Sequence, residues 1–449
     1  MINAKSLLPH AQPRGCAAGW LAADHVGEEA WWRELAHCGT PLIETADDDA
    51  LLISFFWRDP AGDETRSPVR QVYISINCVT DHHHPQPQSL HRLPGTDVWH
   101  WSVTVDARWR GSYCLIPAGS AQLPPAFSGD AAARAHQQRE WWISLFPFAI
   151  ADPLNPRAPH YSSQRHPLSA AHMPRAQEQS AWHQLDAGQP ALADPQRLHS
   201  FSWESKLLGN RRRIWIYTTG TNPTPETRPL AILLDGQNWV EGQPAFAALD
   251  CATESGQLPP AVWLFVDAIT MHHREQELPC NAAFWQALQQ ELLPLVREKV
   301  SFSGQADHTV VAGQSYGGLA ALYAGLHWPQ RFGRVLSQSG SFWWPEVRLI
   351  KEFNGDLNGQ TGWLTAQVQS GALPPSRLKI FMEAGDREGD MAALSQQMHE
   401  ALQPGGHAIY FRIYAGGHDG LCWRGGLIDG MRWLLADLTI ATDEHATDA

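Results

Sequence analysis

Ser315 is the side chain of this sequence best placed for nucleophilic chemistry. It lies in the run 313–317 (GQSYG), after the β-branched run 309–311 and before a stretch rich in alanine and leucine. This order predicts a strand, a sharp turn and a helix, and such a turn lifts the serine hydroxyl above the carboxyl edge of a sheet. The alternative is a glycine-bounded turn with an idle serine.

A serine hydroxyl needs a general base, and the base needs an acid that orients it. In hydrolases with this turn the chain order is serine, acid, histidine. His418 (GGHD) follows the predicted strand 409–414, where a base is expected, unless it is an ordinary loop histidine. After the predicted strand 378–383, Asp386 and Glu388 are both placed to be the acid. The residues alone do not decide between these two carboxylates.

The negative oxygen of a tetrahedral intermediate needs backbone N–H donors. One is expected from Tyr316, which follows the serine, and the other from the loop 236–239 after the predicted strand 230–235. In that loop we expect Gln237 to be the donor. The alternative is a plain glycine turn.

Two further loops are predicted to leave the sheet at the same edge as Ser315. The loop 268–280 carries Arg274, which could bind an anionic substrate or could be solvated like most surface charges. The run 339–344 ends in Trp343 and Trp344, which could stack on planar rings or close the core.

The second half of the chain predicts the elements that must position these residues. From residue 201 onward strands and helices alternate, which is typical of a parallel βαβ sheet. Asn281 is predicted to cap a helix that Pro294 kinks. The predicted strands are 213–218, 230–235, 262–267, the nucleophile strand, 334–338, 378–383 and 409–414.

The first half reads differently. A short helix at 28–38 precedes strand-like runs rich in valine, isoleucine and aromatic residues, separated by Pro, Gly and Asp turns, which predicts a β-sandwich. The run 81–84 (DHHH) is interpreted as an exposed turn, since adjacent histidines on an extended chain point to opposite sides. The predicted strands are 51–57, 69–79, 98–105 and 111–117.

Composition limits the remaining possibilities. A chain of 449 residues exceeds what one core usually serves, so we expect a β-sandwich domain (1–150), a connector (151–200), a catalytic domain (201–440) and a tail (441–449). A net charge of −13 argues against nucleic acid or an anionic membrane as partner.

Seven cysteines without a C-x-x-C pair suggest neither a disulfide framework nor a zinc site. The N-terminus does not read as a secretory signal, and no run of eighteen apolar residues occurs, so we expect a cytoplasmic protein.

Long motifs carry a resemblance to a known family. In the second half these are VVAGQSYGGLAALYAGLHWPQRFGRVLSQSGSFWWP, HREQELPCNAAFW, LLDGQNW and GGHDGLCWRGGL, and in the first half FFWRDP, VTDHHHPQPQSL, LPGTDVWHWSV, RGSYCLIP and ADPLNP. From about Ser54 to Trp433 the chain resembles the bacterial enterochelin (ferric enterobactin) esterases.

The resemblance implies an α/β-hydrolase catalytic domain behind an N-terminal all-β immunoglobulin-like sandwich. It implies a cytoplasmic serine esterase that cuts the trilactone of ferric enterobactin, or of a related catecholate siderophore, into dihydroxybenzoylserine units. No cofactor or protein-bound metal is expected, because iron arrives as part of the substrate with its coordination shell already filled by three catecholates.

The resemblance also bears on single residues. Related esterases place the acid three residues after the glycine that follows this strand, which favours Glu388 and leaves Asp386 in reserve. Arg274 and Asn281 match the family's R-x-x-E-L-x-x-N pattern, which favours Arg274 as a substrate-binding residue. For a trianionic substrate with catechol rings we expect Arg274, with His273, to offset the charge and Trp343 to face the rings. Two alternatives stay open, namely another esterase or transacylase, such as a feruloyl or carbohydrate esterase, and a siderophore binder without catalytic activity.

Overall fold

The computed structural model describes residues 16–161, 165–190, 192–222, 224–350 and 356–440. The N-terminal stretch 1–15 and the predicted tail 441–449 lie outside these ranges. The chain divides into two compact units. The first comprises Met1–Glu178, Asp186–Gly188 and Ala415–Cys422, and the second comprises Gln179–Leu185, Gln189–Tyr414 and Trp423–Ala449. The domain boundaries predicted from the sequence stay a prediction.

The described residues form twelve α-helices and sixteen strands. The helices are α1 (Cys16–Leu21), α2 (Glu29–Cys38), α3 (Ala131–Leu145), α4 (His183–Asp186), α5 (Phe246–Glu254), α6 (Met271–Glu277), α7 (Ala282–Ala287), α8 (Leu293–Lys299), α9 (Tyr316–His327), α10 (Trp363–Gln369), α11 (Asp390–Leu402) and α12 (Gly420–Ile440). The strands are β1 (Leu42–Thr45), β2 (Ala50–Arg58), β3 (Val69–Ile76), β4 (Ser89–Arg92), β5 (Val98–Asp106), β6 (Arg110–Gly119), β7 (His160–Tyr161), β8 (Pro167–His172), β9 (Leu198–Ser205), β10 (Asn210–Thr218), β11 (Leu230–Leu233), β12 (Val262–Val266), β13 (Thr309–Gln314), β14 (Arg334–Gln338), β15 (Lys379–Gly385) and β16 (Ala408–Tyr414).

The first unit is built on antiparallel strands in the order β1-β2-β5-β4-β3-β6-β8-β7. Alternate side chains of β6 enter two different cores, as the period of two in a strand requires. Tyr113 and Leu115 pack on one face, and Cys114 and Ile116 pack on the other. The helix predicted at 28–38 and the four predicted strands are confirmed, as α2, β2, β3, β5 and β6.

Several elements of the first unit were not predicted. Helix α3 packs Trp141 and Trp142 against Tyr73 of β3, and Asp130 caps it by accepting a hydrogen bond from the N–H of Ala133. The short strands β1, β4, β7 and β8 were also missed. The last two lie in the segment interpreted as a connector, where β8 pairs with β6.

The histidine run of the first unit forms a turn, as expected. The Asp81 carboxylate accepts a hydrogen bond from the N–H of His83 at 2.8 Å, and the ring of His82 stacks on Trp142 with 5.9 Å between ring centres. Throughout the described ranges, no group of three or more His, Cys, Asp or Glu side chains is arranged to hold a metal ion. Nor is any described helix long and apolar enough to cross a membrane.

The second unit contains a mixed sheet in the order β16-β15-β14-β13-β11-β12-β10-β9. Neighbours from β16 to β12 are parallel, whereas β10 is antiparallel to β12 and to β9. The predicted parallel βαβ arrangement is confirmed for six of these eight strands. The carboxyl ends of the six parallel strands therefore share one edge of the sheet.

Both faces of this sheet are covered, which explains its nearly continuous apolar strands. In β12, Val262 and Leu264 pack on the face that also receives α7, α8 and α9, while Trp263 and Phe265 pack on the face that receives α5 and α12. Asn281 caps α7, as predicted. A π-helical turn at Leu288–Leu292 separates α7 from α8, whose second residue is Pro294.

Candidate active site

Ser315 occupies the tip of a sharp turn between β13 and α9. Its backbone angles, φ of 57° and ψ of −120°, lie in a region that residues other than glycine rarely adopt, so the backbone is strained at this serine. The Ser315 N–H donates to the carbonyl of Gln338 at 3.0 Å, and the Ser315 carbonyl accepts from the N–H of Ser341 at 3.0 Å. These bonds fix the turn against the chain that leaves β14. The predicted strand, turn and helix around Ser315 are confirmed.

Close packing explains the glycine before the serine. A Cβ at Gly313 would collide with the backbone of Gly317, so the chain can fold back into α9 only with glycine at this position. The Ser315 hydroxyl lies 3.3 Å from the hydroxyl of Ser341 and is half-buried. A second serine, Ser341, thus lies beside the candidate nucleophile.

The N–H of Tyr316 is the first of helix α9, and N–H groups in the first turn of a helix have no acceptor within the helix. The partial positive charge of a helix N-terminus also favours a negative oxygen nearby. Gln237 directly precedes the tight π-helical turn Asn238–Gly242 after β11, and its side-chain oxygen accepts from the N–H of Ala268 at 3.0 Å. The loop expected to supply the second N–H donor is therefore fixed to the loop after β12.

Arg274, on α6, forms a bidentate ion pair with Asp235, with Nε to Oδ1 and Nη2 to Oδ2 both at 2.8 Å. Its Nη2 also donates to the carbonyl of Gln314 at 3.2 Å, next to the nucleophile, and its guanidinium lies 5.6 Å from the centre of the Tyr316 ring. Burial, the largest single effect, acts to lower the pKa of Arg274, but the charge and hydrogen bonds of Asp235, with Tyr316 and Glu275, together leave the pKa above its usual value. Much of the charge expected to meet substrate is thus already compensated.

The two other residues expected to contact substrate lie close to this cluster in the second unit. Trp343 is mostly buried, with 9% of its surface exposed, and its ring centre lies 5.5 Å from that of Tyr316. His273 is half-buried on α6, where its Nδ1 lies 2.8 Å from the hydroxyl of Thr270, the residue that caps the helix. Trp343 therefore packs largely as core and leaves little of its surface for a ligand.

Glu388 and Asp386, the two candidate acids, differ in their surroundings. One carboxylate oxygen of Glu388, Oε1, accepts from the hydroxyl of Ser339 at 2.6 Å, from the hydroxyl of Tyr414 at 2.9 Å and from the N–H of Gly385 at 2.8 Å. Asp386 is exposed, and its backbone N–H donates to the carbonyl of Tyr414. Ser339, Tyr414 and Gly385 therefore hold the orientation of the Glu388 carboxylate within the second unit.

A buried polar network runs across the sheet below these loops. Gln314 donates to Gln338, Gln338 donates to Glu383 at 2.6 Å, and Arg412 donates to the other Glu383 oxygen at 2.8 Å. Burial raises the pKa of Glu383 above its usual range, against the opposing effect of Arg412. Glu383 points into the sheet and is committed to this network.

His418 belongs to the first unit, in the segment Ala415–Cys422. Its carbonyl accepts from the side-chain N–H of Asn77 at 2.9 Å. The next residue, Asp419, is buried and accepts from Ser112 of β6. Asp419 follows the candidate base in the chain, and both of its carboxylate oxygens accept hydrogen bonds within the first unit.

Sequence reasoning missed four residues of this arrangement, which are Asp235, Ser339, Ser341 and Tyr414. Each lies at or just beyond the carboxyl end of a strand of the second sheet. Polar residues at that edge of a parallel sheet were the available signal, because ligands bind outside the carboxyl ends of such strands. The partner of each residue is set by the strand order, which the sequence did not reveal.

Comparisons with known proteins identify the family. The family described as "Enterochelin esterase, N-terminal" matches residues 52–182, and the family described as "Putative esterase" matches residues 205–434. The iron(III) enterobactin esterase of Dickeya dadantii is 58% identical over 428 residues, which cover 95% of this chain and 98% of that protein. The chain belongs to the iron(III) enterobactin esterase family. The resemblance carried by the sequence motifs is thereby confirmed.

Solved structures of the enterobactin esterase family agree with this assignment. The ferric enterobactin esterase of Salmonella typhimurium is 46% identical with a TM-score of 0.81, and the match covers 92% of this chain and 100% of that one. The enterobactin esterase of Shigella flexneri, determined in the presence of enterobactin, is 44% identical with a TM-score of 0.77, covering 92% and 99%. The matched regions include both units, so the likeness is not limited to the nucleophile turn.

Proposed function

We propose that this chain is a serine esterase that hydrolyses the ester bonds of the ferric enterobactin trilactone to dihydroxybenzoylserine units, allowing iron release. The observation that carries the proposal is the 58% identity, over 95% of the chain, to an iron(III) enterobactin esterase. A serine held in a strained turn at the head of a helix is consistent with the chemistry, because an ester needs an activated nucleophile.

In the proposed mechanism, the Ser315 oxygen attacks an ester carbonyl carbon while its proton passes to His418. The N–H groups of Tyr316 and Gln237 stabilise the negative oxygen of the tetrahedral intermediate. As the C–O bond breaks, His418 returns the proton to the leaving serine hydroxyl of the substrate. Water, deprotonated by His418, then cleaves the acyl-enzyme and restores Ser315.

We propose Glu388 as the acid that orients His418, with Asp386 in reserve. Three donors converge on one oxygen of Glu388, whereas Asp386 is exposed. A preorganised carboxylate suits this role, because the acid must hold the imidazole in one tautomer and orientation.

Matched amide variants test this choice of acid. Glu388→Gln is expected to lower kcat by about a hundredfold or more, and Asp386→Asn to leave kcat within about twofold of wild type. Near-full activity of Glu388→Gln together with a large loss in Asp386→Asn would reverse the assignment.

The substrate side follows from charge. Ferric enterobactin is a trianion, so we propose that Arg274 and His273 lower the electrostatic cost of binding it and that Trp343 faces its rings. Because Asp235 pairs with Arg274, only part of the positive charge of Arg274 acts on the substrate. Iron enters as part of the substrate, and the proposed chemistry requires no cofactor.

We further propose an α/β-hydrolase fold for the catalytic domain (201–440) and an immunoglobulin-like sandwich for the N-terminal domain (1–150), joined by the connector 151–200. The strand order of the second sheet, with one antiparallel strand inserted beside β12, supports the first assignment. The antiparallel strands of the first unit support the second. A cytoplasmic location is proposed from the family resemblance.

One experiment tests the substrate. The purified protein is incubated with ferric enterobactin, iron-free enterobactin and a feruloyl ester, and products are separated by chromatography. We expect dihydroxybenzoylserine units from ferric enterobactin and no ferulate. Cleavage of only the feruloyl ester would indicate an esterase of another class, and binding of ferric enterobactin without any product would indicate a siderophore binder.

A further inference from the structure

The segment Ala415–Cys422, which carries His418, is attached to strand β6 of the first unit at both of its ends. The N–H of Arg110 donates to the carbonyl of Ala415 at 3.2 Å, and Arg110 forms a parallel bridge with Gly416. At the other end, the thiol of Cys422 donates to the carbonyl of Arg110 at 3.4 Å. The ends of the histidine loop are therefore fixed at a single residue of the sheet.

The residue after His418 is fixed more firmly. Asp419 accepts from the N–H of Ser112 at 2.5 Å, from the Ser112 hydroxyl at 2.7 Å and from the N–H of Leu421 at 2.9 Å. The same hydroxyl lies 2.9 Å from Nε2 of His160. Because the hydroxyl proton is directed at Asp419, its oxygen is free to accept from His160. Ser112 thus connects a buried carboxylate of the loop to the core of the first unit.

The residues just before and at His418 contact the turn that follows β3. Asn77 donates to the His418 carbonyl, and a Cβ at Gly417 would lie 2.6 Å from the Asn77 side-chain oxygen and 2.6 Å from Cβ of Cys78. Both distances are well below van der Waals contact, so a side chain at 417 would force the loop or the turn to move. Only glycine at 417 lets the loop approach the turn this closely.

We propose that Asn77 and Ser112 are positioning residues for His418, which they act on through the backbone at 418 and the side chain of Asp419. The inference rests on the proposed role of His418 as the general base. A base must lie within hydrogen-bond reach of the proton it takes, and a displacement of about 1 Å can cost about a hundredfold in rate. Two consecutive glycines, 416 and 417, make this backbone intrinsically flexible, and the contacts of Asn77 and Ser112 restrict it. The first unit would thereby hold the proposed base in place through its own contacts.

The first test uses full-length Asn77→Ala and Ser112→Ala, with Ser54→Ala as a matched control. Ser54 is also a buried serine of the same sheet, and its hydroxyl pairs with that of Ser102 at 2.7 Å instead of with the histidine loop. Both test variants are expected to lower kcat on ferric enterobactin by about tenfold or more, with KM within about twofold. Ser54→Ala is expected to keep the wild-type kcat even if its melting temperature falls as much as those of Asn77→Ala and Ser112→Ala.

The second test uses the close contact at Gly417. Gly417→Ala is expected to lower kcat by about tenfold or more, and Cys78→Gly, which removes the opposing Cβ, is expected to restore part of that loss in the double variant. Cys78 has a φ of 54°, so glycine suits its backbone. Such a rescue measures contact between the turn and the loop, and a general loss of stability would not produce it.

The outcomes separate this inference from the proposed function. If His418→Ala is inactive while Asn77→Ala and Ser112→Ala keep the wild-type kcat, the positioning role is wrong and the base assignment stands. If His418→Ala itself keeps hydrolytic activity, the proposed mechanism fails first. Equal losses of kcat in Ser112→Ala and Ser54→Ala, without rescue of Gly417→Ala by Cys78→Gly, would reduce these contacts to ordinary structural ones and overturn the inference.

Discussion

The ion pair between Arg274 and Asp235 allows a quantitative prediction. The Asp235 side chain is 3% exposed and that of Arg274 is 15% exposed, so neither charge is well solvated. Arg274→Met leaves a buried carboxylate without its partner, which is expected to lower the free energy of unfolding by about 3–5 kcal/mol. Asp235→Asn in the same chain removes the charge while keeping the shape and tolerating the left-handed backbone, with φ of 54°. The double variant should therefore recover about 2 kcal/mol or more of that loss.

Urea unfolding of the wild type, both single variants and the double variant measures this coupling. Effects that add within about 0.5 kcal/mol would show that the two groups do not depend on each other and would refute the assigned pair. Kinetics distinguish the roles of Arg274. Because Arg274 holds Asp235 and the carbonyl of Gln314 beside the nucleophile, we expect kcat to fall in Arg274→Met. A rise in KM at unchanged kcat would instead indicate that the guanidinium serves mainly to bind the anionic substrate.

Two further predictions concern stability. Gly426→Ala would place a methyl group against the buried Glu383 carboxylate and is expected to lower the free energy of unfolding by about 3 kcal/mol or more. Gly19→Ala is the control, because Gly19 is an exposed helical glycine with open space around it and alanine there should not lower the free energy of unfolding. Equal denaturation midpoints of the two variants would contradict this prediction. Burial, with nearby His91, lowers the pKa of His100 to about 4. Between pH 6.5 and 4 the unfolded chain therefore binds a proton that the folded chain does not, and the free energy of unfolding falls with falling pH by up to about 3 kcal/mol. His100→Gln should flatten this part of the plot of stability against pH, and an unchanged slope would refute the prediction.

The parts of the fold that could be predicted are those in which local pattern and burial agree. The strands at 230–235 and 262–267 are nearly continuous apolar runs because both faces of the sheet are covered. The turn at Ser315 was predictable because its glycines are required by close backbone packing. Helix α3 was not, since alanine, glutamine and arginine precede its two buried tryptophans and no apolar stripe runs along its length.

The site was predictable to the same limit. Candidate side chains could be placed at the carboxyl edge from strand order along the chain, but their partners could not. Arg274 and Asp235 are 39 residues apart, and Ser112 and Asp419 are 307 residues apart. Such pairs depend on which strands become neighbours and on which unit receives a loop. Neither property can be predicted from residue spacing, so the contacts by which Asp419 holds the histidine loop were found only in the structure.

The most direct test of the account is a comparison of wild-type protein with Ser315→Ala on ferric enterobactin. Hydrolysis is followed by chromatography of dihydroxybenzoylserine products, and binding of the intact substrate is measured in parallel by quenching of tryptophan fluorescence. We expect Ser315→Ala to bind ferric enterobactin and to release no product above the uncatalysed rate. Product formation by Ser315→Ala at the rate of the wild type would contradict the account.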